Sequence, residues 1–373
     1  MARKRVIYQS EALYVAATGN GAVASKLSRV QNINYGFDIP RQDVNEFGKL
    51  ARIDQVILES PTVSLDYSYY VTTGKNEDLI GFKLDGGLSA ITNMLDGTED
   101  VKNYYISTVP EGSDEVGYDR YTTPLSGVGA TAQQAGVIGL GNMSMTSYSV
   151  EASVGGFPTA SVNCEGLNIR FENTNTGTAP TVNQVDGTSV GDTYELEGNS
   201  GNTGDAAKWT PSALRPGDVT LVFDNNTDDT MLRGVDVSEL KLQNANISVD
   251  LGREDLLRLG NKFAFSKEVD YPVTVSMTAD AMLSDTREFD LSAIICSDTG
   301  KYEAYVKINM PQCSGTAEAI RFTVKGAQLD SEAISSSIGD NKQISFNFTS
   351  QVGGPEDTSA GLFILPPQTV VTP

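Results

Sequence analysis

The chain of 373 residues carries 48 carboxylates and not one histidine. Without imidazole there is no Ser–His or Cys–His nucleophile pair, no histidine proton shuttle and no His-containing zinc site. Paired carboxylates could hydrolyse a glycoside, but no motif gathers two of them into one place. The Gly-rich runs GVGATA at Gly127 and GLGN at Gly139 do not complete a dinucleotide fingerprint, and no phosphate-binding G-x-x-x-x-G-K-[ST] is present. DNNTDD (Asp224–Asp229) has the composition of a calcium loop but lacks its glycine and terminal glutamate, so a solvated turn is the reading. Cys164, Cys296 and Cys313 are odd in number and lack metal-type spacing. Cys164 reads as a small buried hydrophobe, and the three together suit a reducing compartment. No catalytic residue, cofactor or metal is therefore assigned, and the expectation is a protein that is not an enzyme.

What does stand out is a sentence written twice. VQNINYGFDIPRQDVNEFG (Val30–Gly48) aligns without a gap on LQNANISVDLGREDLLRLG (Leu242–Gly260), so that Asp38, Arg41, Asp43 and Gly48 match Asp250, Arg253, Asp255 and Gly260. The register continues through Thr62/Thr274, Val63/Val275 and Ser64/Ser276. A second block, Ser147–Asn163, aligns on Ser331–Asn347 at a shorter offset, with Cys164 facing Phe348. The two blocks keep their order, which predicts a tandem duplication. The boundaries read as a first domain over 1–171 with an insertion at about 98–134, a polar linker over 172–216, and a second domain over 217–373 with an apolar tail from Gly361. The recurring Arg/Asp pairs read either as interface ion pairs or as local pairs within each copy.

Period-two patterns set the elements that position these residues. PTVSLDYSYY (Pro61–Tyr70) puts Val63 and Leu65 on one face and Thr62, Ser64 and Asp66 on the other, and Pro272–Met277 repeats the pattern. Tyr302–Met310, Ala319–Val324, Ile344–Phe348 and Thr220–Phe223 are further strands. One short helix per copy is predicted after Asp38 and Asp250: each aspartate can cap an N-terminus, Pro40 suits the first turn, and Gly48 and Gly260 end it. The fold class is thus mainly β, two tandem β domains each with a short flanking helix. With 27 basic against 48 acidic side chains, a formal −21, the chain is unsuited to gripping DNA or anionic lipid. The N-terminus lacks a signal-peptide apolar run, and no stretch approaches a membrane helix, so cytoplasmic synthesis without membrane insertion is expected.

A duplicated β domain has a plain geometric use. Where single domains form a six-membered ring by head-to-tail contacts, fused pairs form it from three chains, with strand edges pairing between neighbours. The pattern VQNINYGFDIPRQDVNEFGKLARID…PTVSLDYSYY, and its second copy ANISVDLGREDLLRLGNKF…YPVTVSM, resembles the tail tube (major tail) proteins of long-tailed bacteriophages over the central part of each copy. That resemblance implies a small β-sandwich or barrel whose sheets join around a ring, with rings stacked into a hollow tube that conducts double-stranded DNA without specific binding. It implies tape-measure, tail terminator or baseplate proteins as partners, a sheath in some tails, and a place in the virion after assembly in the host cytoplasm. Family members with one such domain form hexamers; two per chain imply trimers of pseudo-sixfold symmetry, with much of the acidity facing the bore. Two alternatives use the same features. A double-barrel capsid protein also fuses β domains, and a carbohydrate-binding β-sandwich could stack sugars on Trp209 and the tyrosines of 98–134.

Overall fold

The computed structural model describes residues 10–109, 115, 136–172, 176–197, 214, 219–224, 231–232, 235–236, 241–282, 302–309, 318–335 and 341–367. The first half contains β1 (Glu11–Ala17), β2 (Ala22–Lys26), β3 (Val30–Asp38), β4 (Arg41–Val44), β5 (Asp54–Ile57), β6 (Thr62–Tyr70), α1 (Lys75–Ile80), α2 (Thr92–Leu95), β7 (Val101–Thr108), β8 (Gly136–Ser153), β9 (Thr159–Gly166), β10 (Asn168–Glu172), β11 (Thr176–Thr178) and β12 (Thr193–Leu196). The second half contains β13 (Val219–Asp224), β14 (Met231–Leu232), β15 (Val235–Asp236), β16 (Lys241–Asp250), β17 (Arg253–Leu256), β18 (Ser266–Val269), β19 (Val273–Met282), β20 (Tyr302–Asn309), β21 (Glu318–Ser335), β22 (Gln343–Val352) and β23 (Gly361–Leu365). The protein is mainly β.

One long antiparallel sheet runs β3–β6–β9–β8, then β16–β19–β22–β21. The two groups of four match in detail. A bulge falls between Val30 and Asn32 in β3 and between Leu242 and Asn244 in β16. In each, the extra residue is a glutamine whose amide folds back on its own strand: Gln31 onto the carbonyls of Arg29 and Val30, Gln243 onto those of Lys241 and Leu242. A second bulge recurs at Met145/Ser147 and Leu329/Ser331. The side chains of Asn163 and Ser147 are hydrogen-bonded at 2.7 Å, those of Asn347 and Ser331 at 2.8 Å. An unpaired ladder group is costly to bury, so a bulge recurring with the same side chain filling it is a position where the local chain chemistry is the same.

β8 and β21 are each 18 residues long and leave the first sheet halfway. Their N-terminal halves enter a second layer, β10–β8–β7–β1 in one half and β23–β21–β20–β13 in the other. Side chains from the two layers meet in one continuous core. Leu65, Tyr67, Tyr69, Tyr148 and Val162 pack toward Leu13, Tyr104 and Leu140, while Val275, Met277, Phe346 and Phe348 pack toward Val306, Phe322 and Val324. Each such side chain contributes about 1.5–3 kcal/mol on burial. The face alternation expected of β6 is present, with Val63, Leu65, Tyr67 and Tyr69 buried. Cys164 is buried, as expected; desolvation pushes its thiol up to about 12. Inside the first half the core also holds Glu77, which accepts hydrogen bonds from the hydroxyls of Tyr69 at 3.0 Å and Tyr148 at 3.2 Å.

Three expectations change. No helix follows Asp38 or Asp250: Arg41–Val44 pairs with Asp54–Ile57, and Arg253–Leu256 with Ser266–Val269, as two hairpins of equal length. Capping-type residues sit at the bends instead, and Gly48 (φ 91°) and Gly260 (φ 93°) do take left-handed backbone, but in hairpin loops. The described helices are α1 and α2. The polar segment after β10 is not an exposed linker over 176–197: β12 runs parallel to β2, β11 pairs with β12, and Tyr194 stacks on Tyr105 at 4.2 Å, closing a second small core. The stretch 98–134 is not all insertion, since β7 with Tyr104 and Tyr105 is a core strand matched by β20; Tyr118, Tyr121 and Trp209 lie outside the described residues. The apolar segment from Gly361 to Leu365 docks on its own body as β23.

Candidate assembly surface

The junction between the two halves of the long sheet is the most informative place in the molecule. β8 pairs with β16 from Asn244↔Ser153 to Asp250↔Ser147. Beyond the ladder, the Leu251 amide donates to the Thr146 carbonyl at 2.8 Å and the Val154 amide to the Gln243 carbonyl at 3.0 Å. Val150 faces Ile247 across it, and both are buried, as is Val249.

Carrying that junction forward by the internal match puts β3 in the role of β16 and the second half of β21 in the role of β8. Those two strands are the ends of the sheet, and their outer edges are unpaired among the described residues. The core-facing side chains there are exposed: Tyr35 at 43%, Phe37 at 60% and Ile334 at 53%, where their counterparts Ile247, Val249 and Val150 are at 2%, 1% and 4%. Exposed edge strands with apolar side chains are a pairing template that proteins otherwise blunt.

The hairpins frame this junction. Arg253, whose side chain is 4% exposed, donates to the Met145 carbonyl at 2.8 Å and forms a two-pronged ion pair with Asp100 at 2.5 and 3.0 Å. Lys267 sits between Asp255 (3.4 Å) and Glu165 (3.5 Å). The hairpin β17–β18 is thus tied to the first half of the chain, and its tip is held further by the amides of Lys262 and Phe263 on the carbonyls of Val185 and Gln184. Hairpin β4–β5 has no such seat among the described residues. Asp43 pairs with Arg52 of the same hairpin at 2.9 Å, Arg41 is exposed without an ion pair or side-chain hydrogen bond among the described residues, and Phe47 and Leu50 stand fully exposed at the tip. Of the recurring Arg/Asp side chains, among the described residues Arg253 ties the two halves together directly, through Asp100 and the Met145 carbonyl rather than through Asp255.

The outward face of the long sheet is the second feature. Its described side chains are nearly all Ser, Thr, Asn and Gln, from Asn32 and Asn34 on β3 to Ser331 and Ser335 on β21. Six carboxylates project from it: Asp38, Asp66, Glu151, Glu165, Asp250 and Asp280. Two lysines stand on or beside this face: Lys241, which opens β16 opposite Met282, and Lys267, which reaches Glu165 from the hairpin at the rim. Asp38 and Asp250 thus end their strands on this acidic face rather than capping helices.

Asp100, Tyr35, Phe37, Ile334, Lys267 and Glu165 were not legible as partners, although the two repeat offsets already placed 331–335 where 147–151 stands. Among the described residues no helix is long and apolar enough to cross a membrane, and no three His, Cys, Asp or Glu side chains gather as a metal site. No protein-family model matches the chain, and no curated protein matches it.

Proposed function

We propose that this protein is a structural, self-assembling component of a hollow tube, built of tandem sister β-sandwich domains, and that it acts as a phage tail tube protein. The observation that carries the reading is the β8–β16 junction: one chain joins two like arrays by the same pair of edges that it leaves open at its two ends. A contact that uses two different edges is head-to-tail and propagates until it closes. Three chains bring about 24 strands; at about 4.8 Å between strands and a tilt near 40°, such a barrel has a backbone diameter of about 48 Å, wider than a DNA double helix. In that arrangement the acidic, Ser/Thr/Asn-rich face lines the bore. A wall in which carboxylates outnumber cations offers phosphate little to exchange for its counterions, so duplex DNA passes without being held. Tape-measure, terminator and baseplate proteins are then the partners at the tube's core and ends, and the virion is its destination.

The test is electron microscopy of the purified protein together with a cross-link. The internal match sets Asp38 opposite Ser331 of the next chain, as Asp250 is opposite Ser147. This is a non-hydrogen-bonded pair, because the neighbouring pair Leu251/Thr146 holds the hydrogen bond, so the Cα atoms lie within disulfide reach. An Asp38→Cys/Ser331→Cys chain should form a covalent multimer on oxidation that neither single variant gives, and micrographs should show stacked rings. Closed shells, discrete monomers, or no multimer-specific disulfide would reject the reading.

A further inference from the structure

Resting on the ring reading, we propose that hairpin β4–β5 is a clasp that seats on the next copy of this chain at the bulge of β21, with the Arg41 guanidinium donating to the Leu329 carbonyl. Within the chain, the seat of the sister hairpin is a bulge: Arg253 donates to the Met145 carbonyl where the register of β8 slips. Leu329 is the residue before the matching slip of β21. Arg41 opens β4 as Arg253 opens β17, at the same register in hairpins of the same length. A bulge aims one carbonyl out of the ladder, and an arginine fork suits such a lone acceptor. The structure leaves Arg41 exposed and without a bond among the described residues. An exposed apolar edge flanked by an unused guanidinium therefore describes a half-made interface, and the other half is the opposite end of the same chain.

The two seams are not equal. Asp100 stands two residues before Lys102, and Lys102 and Tyr302 occupy matching register positions opposite Met143 and Ala327. The residue two before Tyr302 is Gly300. Lys267 is matched by Gln55, and its partner Glu165 by Thr349. The seam between chains thus keeps the arginine–carbonyl contact and the strand pairing but has no counterpart of the Lys267–Glu165 ion pair, and it replaces Ile247, Val249 and Val150 by the larger apolar group of Tyr35 and Phe37 with Ile334. The clasp is the side-chain tie that the described residues leave at the chain boundary beside the strand pairing, so rings come apart there and not within a chain.

The test uses the full chain with Arg41→Ala and Arg41→Lys, measuring assembly against protein concentration by light scattering and microscopy, and melting of the unassembled chain. Arg41→Ala is expected to raise the concentration for half-assembly about tenfold or more, the worth of one hydrogen bond to a charged group, with Arg41→Lys between it and the parent. Melting of the unassembled chain should be unchanged. The same substitutions in the Asp38→Cys/Ser331→Cys background separate the two claims. If the disulfide forms and Arg41→Ala assembles like the parent, the clasp is wrong and the ring stands. If the disulfide does not form at all, the ring reading falls and the clasp with it.

Discussion

Arg253 is buried where two halves of one chain meet, and its removal has a calculable cost. Arg253→Met keeps the apolar stem but strands the Asp100 carboxylate, 15% exposed, and the Met145 carbonyl. Breaking a buried ion pair by deleting one partner costs about 3–5 kcal/mol. Asp100 sits beside the short loop before β7 and keeps some contact with water, so the lower end applies, about 3 kcal/mol. Deleting both charges removes the stranded group. Arg253→Met/Asp100→Leu should therefore lie within about 1 kcal/mol of the parent, because well-packed apolar replacements of buried pairs are close to neutral. Urea unfolding of the unassembled chain measures this, read as a change in midpoint at constant slope. A single variant costing less than about 0.5 kcal/mol would show that the pair is not holding the junction. A double variant as unstable as the single would show that the cost comes from lost packing rather than from an unpaired carboxylate.

Other outcomes follow from the same residues. Ile334→Asp should leave the melting of the single chain nearly unchanged, since that side chain is already half exposed, but should raise the half-assembly concentration about a hundredfold by placing a carboxylate against Tyr35 in the proposed seam; Ile334→Leu should assemble. Glu77 is held above its ordinary range by burial, against the hydrogen bonds from Tyr69 and Tyr148 that favour its ionised form. A carboxyl raised in the folded state contributes stability that is full below its unfolded pKa of about 4.5 and is lost as pH rises through the higher folded value. Glu77→Gln should flatten that part of the stability–pH curve, and an unchanged slope would mean Glu77 does not titrate there. Cys164, with its thiol pushed up by burial, should resist alkylation at pH 8 in the native chain and react once urea unfolds it, as read by peptide mass mapping.

Much of this architecture was written locally. Alternation of apolar and polar side chains sorts Val63, Leu65 and Tyr67 from Ser64 and Asp66 because side chains leave a strand on opposite faces. The recurrence of Gln31 and Gln243, and of Ser147 and Ser331, is visible without coordinates because each pair does the same job at the same bulge. The requirement for left-handed backbone at Gly48 and Gly260 was equally legible, since only the absence of a Cβ makes it cheap. What surrounds those glycines was not. Asp38 and Asp250 with Pro or Gly nearby satisfy the rules for a helix start and for a bend alike, and the choice of a hairpin rests on pairing with residues 54–57 and 266–269 across a nine-residue loop. Nor does any local pattern join Arg253 to Asp100, 153 positions away, or separate a buried Ile247 from an exposed Tyr35. Period and composition are properties of neighbouring residues. Which edge finds a partner depends on how the whole chain folds back, and here it is that folding which closes one junction and leaves its twin open.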